Sequence, residues 1–312
     1  MLDKLSSSII KAEAKSLGFF ACGIAMADAV EEKVVSAYRQ WIAEGHNASM
    51  AYLENYPDKR FDPRLLVPGV KSIVSVALNY APSHNIPAGQ PQIASYALGK
   101  DYHDVVKQKL RQLAVNIGCV SEDCRVFCDS APVLERYWAV KAGLGWIGRN
   151  HQLIIPKAGS MFFLGELFLP VELDYDAPME SRCGKCRACV DSCPTHALQL
   201  GEGKEVSEFD SRLCLNYQTI ENRGVIPDEL AEKLAPYIYG CDRCQAACPW
   251  NRFSVPNTTP ELQPSEALLA MRRDDWLGLT EEEYRKLFKG SAVKRAKYSG
   301  LMRNIHDSLN NE

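Results

Sequence analysis

The spacing of apolar residues changes along the chain, and each change predicts a different element. Near the N-terminus Leu5, Ile9, Ala12 and Leu17 recur at roughly helical spacing, with Lys and Glu between them. That pattern predicts an amphipathic helix ending at Gly18. Residues 72–79, Ser-Ile-Val-Ser-Val-Ala-Leu-Asn, predict a strand. Between 103 and 117, Val106, Leu110, Leu113 and Ile117 share one helical face, and Gly118 supplies a stop. The apolar run 124–128 reads as a short strand, followed by Asp129-Ser130-Ala131-Pro132 and a helical stretch to about Ala142. Residues 153–156 and 161–169, joined by a Lys-Ala-Gly turn, predict a β-hairpin.

Beyond about residue 172 the regular pattern stops. Residues 173–255 hold little continuous apolar sequence, so this segment needs another source of stability, such as bound metal. A Pro-rich linker follows from Asn257, then helical patterns near 265–271 and 281–288. The expected organisation is a mixed α/β (α+β) domain over 1–172, a cysteine-rich domain over 173–255 and a helical tail over 256–312.

Composition sharpens one point. The 312 residues carry a net charge of -3, with 46% hydrophobic and 24% charged residues, an ordinary globular balance. It excludes a disordered chain, a collagen-like fibre and a strongly basic DNA-wrapping protein. The anomaly is twelve cysteines, eight of them between Cys183 and Cys248. The N-terminus shows no secretory or twin-arginine pattern, and no apolar run approaches the ~20 residues of a membrane span. A cytoplasmic chain is expected, in which clustered cysteines are metal ligands rather than disulfides. The four outlying cysteines are expected to be inert buried thiols.

The first cysteine motif is Cys183-x2-Cys186-x2-Cys189-x3-Cys193-Pro194, the bacterial ferredoxin run for a 4Fe–4S cluster. Three thiolates in one tight loop can wrap one cube, while the fourth points to another cluster. The second motif, Cys241-x2-Cys244-x3-Cys248-Pro249, lacks its first cysteine, and Cys214 can replace it across an insertion. Pseudo-symmetry then groups Cys183, Cys186, Cys189 and Cys248 on one cluster, and Cys193, Cys214, Cys241 and Cys244 on the other. Structural zinc is the competing reading, but it gives no reason for two CxxxCP repeats. Two cubes carry single electrons, so a redox centre is expected in the preceding α/β domain.

Two further motifs mislead and one informs. Gly143-Leu-Gly145-Trp-Ile-Gly148 matches the dinucleotide fingerprint, but a helix precedes it and a strand follows, the reverse of what that fingerprint needs. It reads as a turn admitting close backbone approach, or as a tight helix-to-strand connection. Asp101-x-His103 resembles the start of a cobalamin motif whose histidine ligates cobalt, but Val106 stands where that motif has glycine. Asp129 ends an apolar strand before a helix, a position where carboxylates reach clefts. Pro132 would fall at N3 of a helix capped by Asp129 and has no N–H to donate, so Ser130 is the expected cap, bonding Val133. Asp129 is then free for chemistry.

Residues 129–136 (Asp-Ser-Ala-Pro-Val-Leu-Glu-Arg), 142–150, 99–104, Lys59-Arg60-x-Asp62-Pro63-Arg64 and Gly300-Leu301-Met302-Arg303-Asn304, together with the cysteine motifs, resemble the epoxyqueuosine reductases, a family of tRNA-modification enzymes. The resemblance implies a nitroreductase-like domain holding cobalamin, then a ferredoxin-like domain with two 4Fe–4S clusters. It implies reduction of epoxyqueuosine to queuosine at the tRNA wobble position, with an external low-potential donor of ferredoxin or flavodoxin type. It makes Asp129 the proton donor, which requires a carboxyl kept protonated near neutral pH by desolvation. It gives candidate cofactor contacts at Arg60, Tyr96, Gly99, His103, Asp129, Gly145, Gly148 and Asn150. Candidate tRNA contacts are Arg136, Arg223, Lys294, Arg295 and Lys297.

Many members of that family continue into a helical repeat domain, whereas this chain stops at Glu312, which puts tRNA contacts made by such a domain in doubt. Between Tyr284 and Arg303 lie seven basic residues and no acidic one, the footprint of phosphate binding. A monomer without membrane contact is expected. The alternatives are a reductive dehalogenase-like enzyme, which usually carries a twin-arginine leader, and a non-catalytic electron-transfer protein, which would hold clusters but no corrin.

Overall fold

The computed structural model describes residues 5–119, 124–201 and 207–309. Its first part runs α1 (Ser7–Ser16), β1 (Ala21–Met26), α2 (Glu32–Ala43), α3 (Pro57–Phe61), α4 (Pro63–Leu66), β2 (Ser72–Asn79), β3 (Gln92–Ile93), α5 (Tyr102–Asn116), β4 (Arg125–Phe127), α6 (Glu135–Lys141), β5 (Trp146–Ile147), β6 (Leu153–Ile154) and β7 (Phe162–Leu169). The cysteine-rich part has only short pieces: α7 (Ala188–Asp191), β8 (Leu198–Gln199), β9 (Glu208–Phe209), α8 (Leu215–Ile220), α9 (Asp228–Ala231), β10 (Tyr237–Tyr239) and α10 (Arg243–Ala246). The tail adds α11 (Glu266–Ala270), α12 (Arg273–Leu277), α13 (Glu281–Leu287) and α14 (Lys297–Leu309).

The main sheet has the order β1-β2-β7-β4, with every neighbour antiparallel, so the fold is α+β. Strand β2 is apolar on both faces because both are covered. Val74, Val76 and Leu78 pack with α1 and α5, through Ile10, Val106, Leu110 and Leu113. Ile73 and Ala77 face the other way, with Trp138 and Ala139 of α6 and Ala142 at its C-cap. The alternation of strand side chains thus builds two cores from one sheet.

Two expectations fail in instructive ways. Helix α1 buries Ser7, Ile10 and Ala14, while Ile9 is 51% exposed and Ala12 also faces out. Docking on the sheet selects the narrower stripe, and Ser6 caps the helix through the Ile9 N–H. Residues 153–156 and 161–169 form no hairpin. Strand β7 pairs with β2 over eight residues and with β4 on its other side, so both of its edges are taken. Strand β6 pairs instead with β5, forming a small ribbon against the cysteine-rich part.

The cysteine-rich part has correspondingly small cores. One is Leu215, Ile226, Leu230, Ala231 and Leu234; another is Cys189, Val190 and Leu198. The tail is tied in firmly. Asn304 of α14 is fully buried and donates to the carbonyls of Thr219 (2.8 Å) and Ile238 (3.0 Å), while Arg303 donates to those of Gln218 and Asn222. Strand β3 pairs in parallel with β10, joining the first part to the second.

Candidate active site and metal centres

The N-terminus of α5 and the end of β4 meet at Asp129. Asp101 caps α5, accepting from the His103 N–H at 3.0 Å and lying 2.7 Å from His103 Nδ1. The cap orients the imidazole, whose Nε2 stands 3.3 Å from Asp129 Oδ2. Tyr102 donates its hydroxyl to the same oxygen, with its ring stacked between Phe163 at 4.4 Å and His103 at 4.1 Å. Asp129 adopts a left-handed backbone, φ 57°, which costs a non-glycine residue energy and marks a position held by its surroundings. Its N–H donates to Glu135 of α6. Ser130 does not cap, contrary to expectation: α6 begins only at Glu135, and Ser130 accepts from Lys107 at 2.6 Å.

The Asp129 side chain keeps 58% of its area open, yet burial is the largest perturbation on its titration. The carboxylate is thus reachable from solvent while crowded by the Tyr102 and His103 side chains. Burial would raise the carboxyl, but the His103 and Tyr102 hydrogen bonds outweigh it and hold Asp129 below the usual carboxylate range. The expectation of a protonated Asp129 is therefore corrected: in this arrangement the proton sits on its neighbour. Burial disfavours charge on His103, but Asp101 and Asp129 outweigh it and push the imidazole up to about 9. At neutral pH the unit is an imidazolium bonded to a carboxylate. Burial and the Asp129 charge push Glu135 up to about 8.

The expected cofactor contacts divide. Tyr96 lies at the cleft wall, edge-on to Tyr102 and 3.3 Å by hydroxyl from Tyr239. Tyr52 adds aromatic surface within electrostatic reach of Asp129. His103 and Asp129 are joined as described. Arg60 is buried, donates to the Tyr52 and Asn55 carbonyls and lies over the Tyr38 ring, so it secures the loop that carries Tyr52, while its Nε has no protein partner among the described residues. Each of the three glycines admits close approach of protein. A Cβ on Gly99 would fall 2.5 Å from the Leu262 backbone, one on Gly145 2.1 Å from the Ile154 carbonyl, and one on Gly148 2.5 Å from the Ile154 side chain. The glycine-rich motif is a tight connection into the β5–β6 ribbon. Asn150 is buried beside the first set of cysteines.

Cys183, Cys186, Cys189 and Cys248 line one cavity of about 140 Å³, with Arg149, Asn150 and Trp250. Cys189 senses Cys248, Cys183 and Cys186 as its charged neighbours. Cys214 lies near Cys241 and Cys193, and Cys244 lies near Cys214, Cys241 and Cys193 and, last in order of effect, Cys189 of the first group. The cavity lining coincides with the first expected quartet, and the nearest cysteines of Cys214 belong to the second. Among the described residues no three His, Cys, Asp or Glu side chains converge on a single ion position. In the first group the thiols surround a space rather than a point, which suits an iron–sulfur cube. Of the four outlying cysteines, Cys22 and Cys128 are free thiols, with Cys128 buried and Cys22 half-buried. Cys119 and Cys124 are joined in a disulfide, where inert thiols were expected.

The basic footprint shrinks on inspection. Arg295 makes a two-pronged pair with Glu221 at 2.7 and 2.8 Å, and Arg223 donates to the Ile220 and Arg295 carbonyls. Arg285 pairs with Glu281. Arg223 and Arg295 thus brace α8 against the tail while both stay exposed. Lys294 and Lys297 remain exposed. Arg136 is exposed at the cleft, donating to the His151 carbonyl beside Asp129 and Glu135.

With this geometry in hand, comparison with known proteins is informative. Residues 60–130 match the family model described as Epoxyqueuosine reductase QueG, and residues 182–251 match the 4Fe-4S double cluster binding domain, which spans all eight clustered cysteines. The epoxyqueuosine reductase of Cellulophaga algicola is 45% identical over 303 residues, covering 96% of each chain. That of Escherichia coli is 38% identical over 310 residues, 97% of this chain and 80% of the relative. A crystal structure of epoxyqueuosine reductase with an epoxyqueuosine-modified tRNA-Tyr stem loop superposes with a TM-score of 0.84 at 27% identity, over 97% of this chain and 80% of that one. The Bacillus subtilis enzyme, captured with a catalytic aspartate loop swung out of its active site, gives 0.83 at 28% identity, over 97% and 81%. The eight cysteines in two groups, the Asp129 cleft and full-length similarity at this level agree: the chain belongs to the epoxyqueuosine reductase family.

Proposed function

We propose that this protein reduces epoxyqueuosine to queuosine at the wobble position of tRNA, the last step of queuosine formation. The observation that carries the reading is the Asp129–His103–Tyr102 unit, set on the floor of an aromatic-walled cleft within one fold that also holds two cysteine quartets. The cleft suits cobalamin: Tyr52, Tyr96 and Tyr102 offer flat apolar surface to a macrocycle, and an acid faces the open side. Cobalamin, when bound, supplies the low-valent metal chemistry by which an epoxide carbon is reduced, and the clusters supply electrons one at a time. The working organisation is 1–172 for the cofactor and catalysis, 173–255 for the clusters and 256–312 as the tail.

The chain's own residues handle the proton. Opening an epoxide places negative charge on its oxygen, and an acid within hydrogen-bond reach removes that charge. His103 holds the proton at neutral pH, and the Asp129 oxygen stands between it and the cleft. Excluding water from the cleft disfavours the separated charges and moves the proton onto the carboxyl. Arg136 bounds the same cleft and is placed for the anticodon backbone, with Lys294 and Lys297 as outlying phosphate contacts. The target nucleotide has to leave its stack to reach the cleft floor.

The cysteine quartets give the electron path a direction. Cys186 is exposed, so the Cys183 group is the entry side for a ferredoxin- or flavodoxin-type donor. Gly240, next to Cys241, leaves no room for a side chain against Ala94 and Tyr96, which supports the Cys241 group as the one nearer the cleft wall. Among the described residues no helix is long and apolar enough to cross a membrane. We infer a monomer acting in the cytoplasm. Nucleoside analysis of tRNA from a strain lacking this chain is expected to show epoxyqueuosine in place of queuosine; normal queuosine would refute the assignment.

A further inference from the structure

Glu166 is the anomaly of the central sheet. It sits in the middle of β7, paired across the sheet with Ser75 and Phe127, and it is 0% exposed. Its side chain lies on the face covered by α6, among Ile73, Ala77, Phe127, Phe168 and Trp138. Among the described residues no ordinary donor reaches either of its oxygens. The nearby charged or titratable groups are Glu135 on α6, in hydrogen-bonding contact, and Asp129; the Cys128 thiol lies within electrostatic reach. A buried carboxylate with no cation and no donor is too costly to persist, so Glu166 is neutral. Two carboxyl groups form a hydrogen bond only with a proton between them.

Glu135 is the hinge of this arrangement. One of its oxygens accepts the Asp129 N–H, and its carboxyl meets Glu166 behind it. The groups facing it are Asp129 from the loop, Arg136 on its own helix, His103 from α5 and Glu166 from β7. Of these only Arg136 and His103 are cationic, and both lie on the cleft side with Asp129. The sheet side offers no positive charge to a second carboxylate.

We propose that Glu135 and Glu166 share a proton, and that this protonated pair is the positioning device for Asp129: it fixes Glu135 so that its oxygen holds the Asp129 N–H and keeps that residue in its left-handed conformation facing the cleft. Loss of the shared proton leaves two buried carboxylates in contact, which drives Glu135 away and frees the loop. Both groups titrate above their ordinary range, Glu135 at about 8. The sign follows: their folded-state values exceed the unfolded ones, so the stability they allow is complete at low pH and is lost as pH rises through about 8.

The proposal rests on Asp129 as the active-site acid for its functional meaning, but its test reads the pair itself. Infrared spectroscopy of the full-length protein at pH 7 is expected to show the carbonyl stretch of a protonated carboxylic acid, which vanishes in Glu166→Gln. That variant keeps volume and supplies a permanent N–H donor to Glu135. The melting temperature of wild type is expected to fall between pH 7 and 9, and the slope to flatten in Glu166→Gln. Hydrogen exchange of the 128–134 peptide, corrected for its intrinsic pH dependence, is expected to lose protection above about pH 8 in wild type only. Absence of the acid band at pH 7 overturns the shared proton. An unchanged melting slope together with unchanged exchange in Glu166→Gln overturns the positioning role. If these results hold while Asp129→Asn stays fully active, the pair stands and the reading of Asp129 falls.

Discussion

Asp129→Asn is expected to lower turnover by about 10²–10⁴-fold, the usual worth of a positioned general acid, while cobalamin and tRNA still bind. Asparagine keeps the volume of the side chain and can still accept the Tyr102 hydroxyl and the His103 Nε2–H. What it removes is the oxygen that carries a proton from His103 to the cleft. A second readout separates this from a folding defect. His103 is held at about 9 by Asp101 and Asp129 against the opposing effect of burial. With the Asp129 charge gone, its titration is expected to move down, visible as a shifted histidine resonance or a displaced alkaline limb in the pH profile. Full activity in this variant would remove Asp129 as the acid, whatever the cofactor content.

Cys214→Ser is expected to have an equally large effect by a different route. Cys214 lies at the start of α8, after a 3₁₀ turn capped by Asp210, and is the ligand that the second motif lacks within its own run. Losing it removes one cube, so iron is expected to fall from about eight to about four atoms per chain. Turnover with a protein donor is expected to vanish, because the quartet against the cleft wall is the one lost. The core around it is only Leu215, Ile226, Leu230, Ala231 and Leu234, so the variant is also expected to melt earlier. Cys22→Ser provides the control: Cys22 lies in β1, away from both quartets, and its loss is expected to leave iron content unchanged. Undiminished iron in Cys214→Ser would contradict the grouping.

The cysteine pattern was legible because cluster ligands are fixed by local spacing, and spacing is a property of sequence. The choice of Cys214 as the expected fourth ligand came from the symmetry of two short motifs, and the fold brings it near Cys241 and Cys193. Asp129 was legible for a similar reason, since a carboxylate between a strand and a proline has few structural roles. Its protonation was not legible. It depends on His103 and Tyr102, which arrive from another element and are brought near only by folding. The i, i+1 pair after the Asp101 cap was the available signal, within a segment the family resemblance already marked. Glu166 was hidden for the same reason: a glutamate in an apolar strand reads as an edge residue until both strand neighbours are known. The glycines were ambiguous because close approach to protein and close approach to a ligand leave the same trace in sequence. The basic run in the tail gave no sign that Glu221, some 70 residues away, pairs with one of its members. The hairpin over 153–169 failed because adjacency in sequence was outweighed by eight pairs with β2.

The most direct test of the account is anaerobic turnover of an epoxyqueuosine-bearing tRNA stem loop by the purified chain, reconstituted with iron, sulfide and cobalamin and supplied with a low-potential reductant. Mass spectrometry of the digested nucleosides is the readout. Conversion to queuosine that requires cobalamin, and that collapses in Asp129→Asn, is the result expected. Epoxyqueuosine left intact by protein carrying both clusters and bound corrin would contradict it.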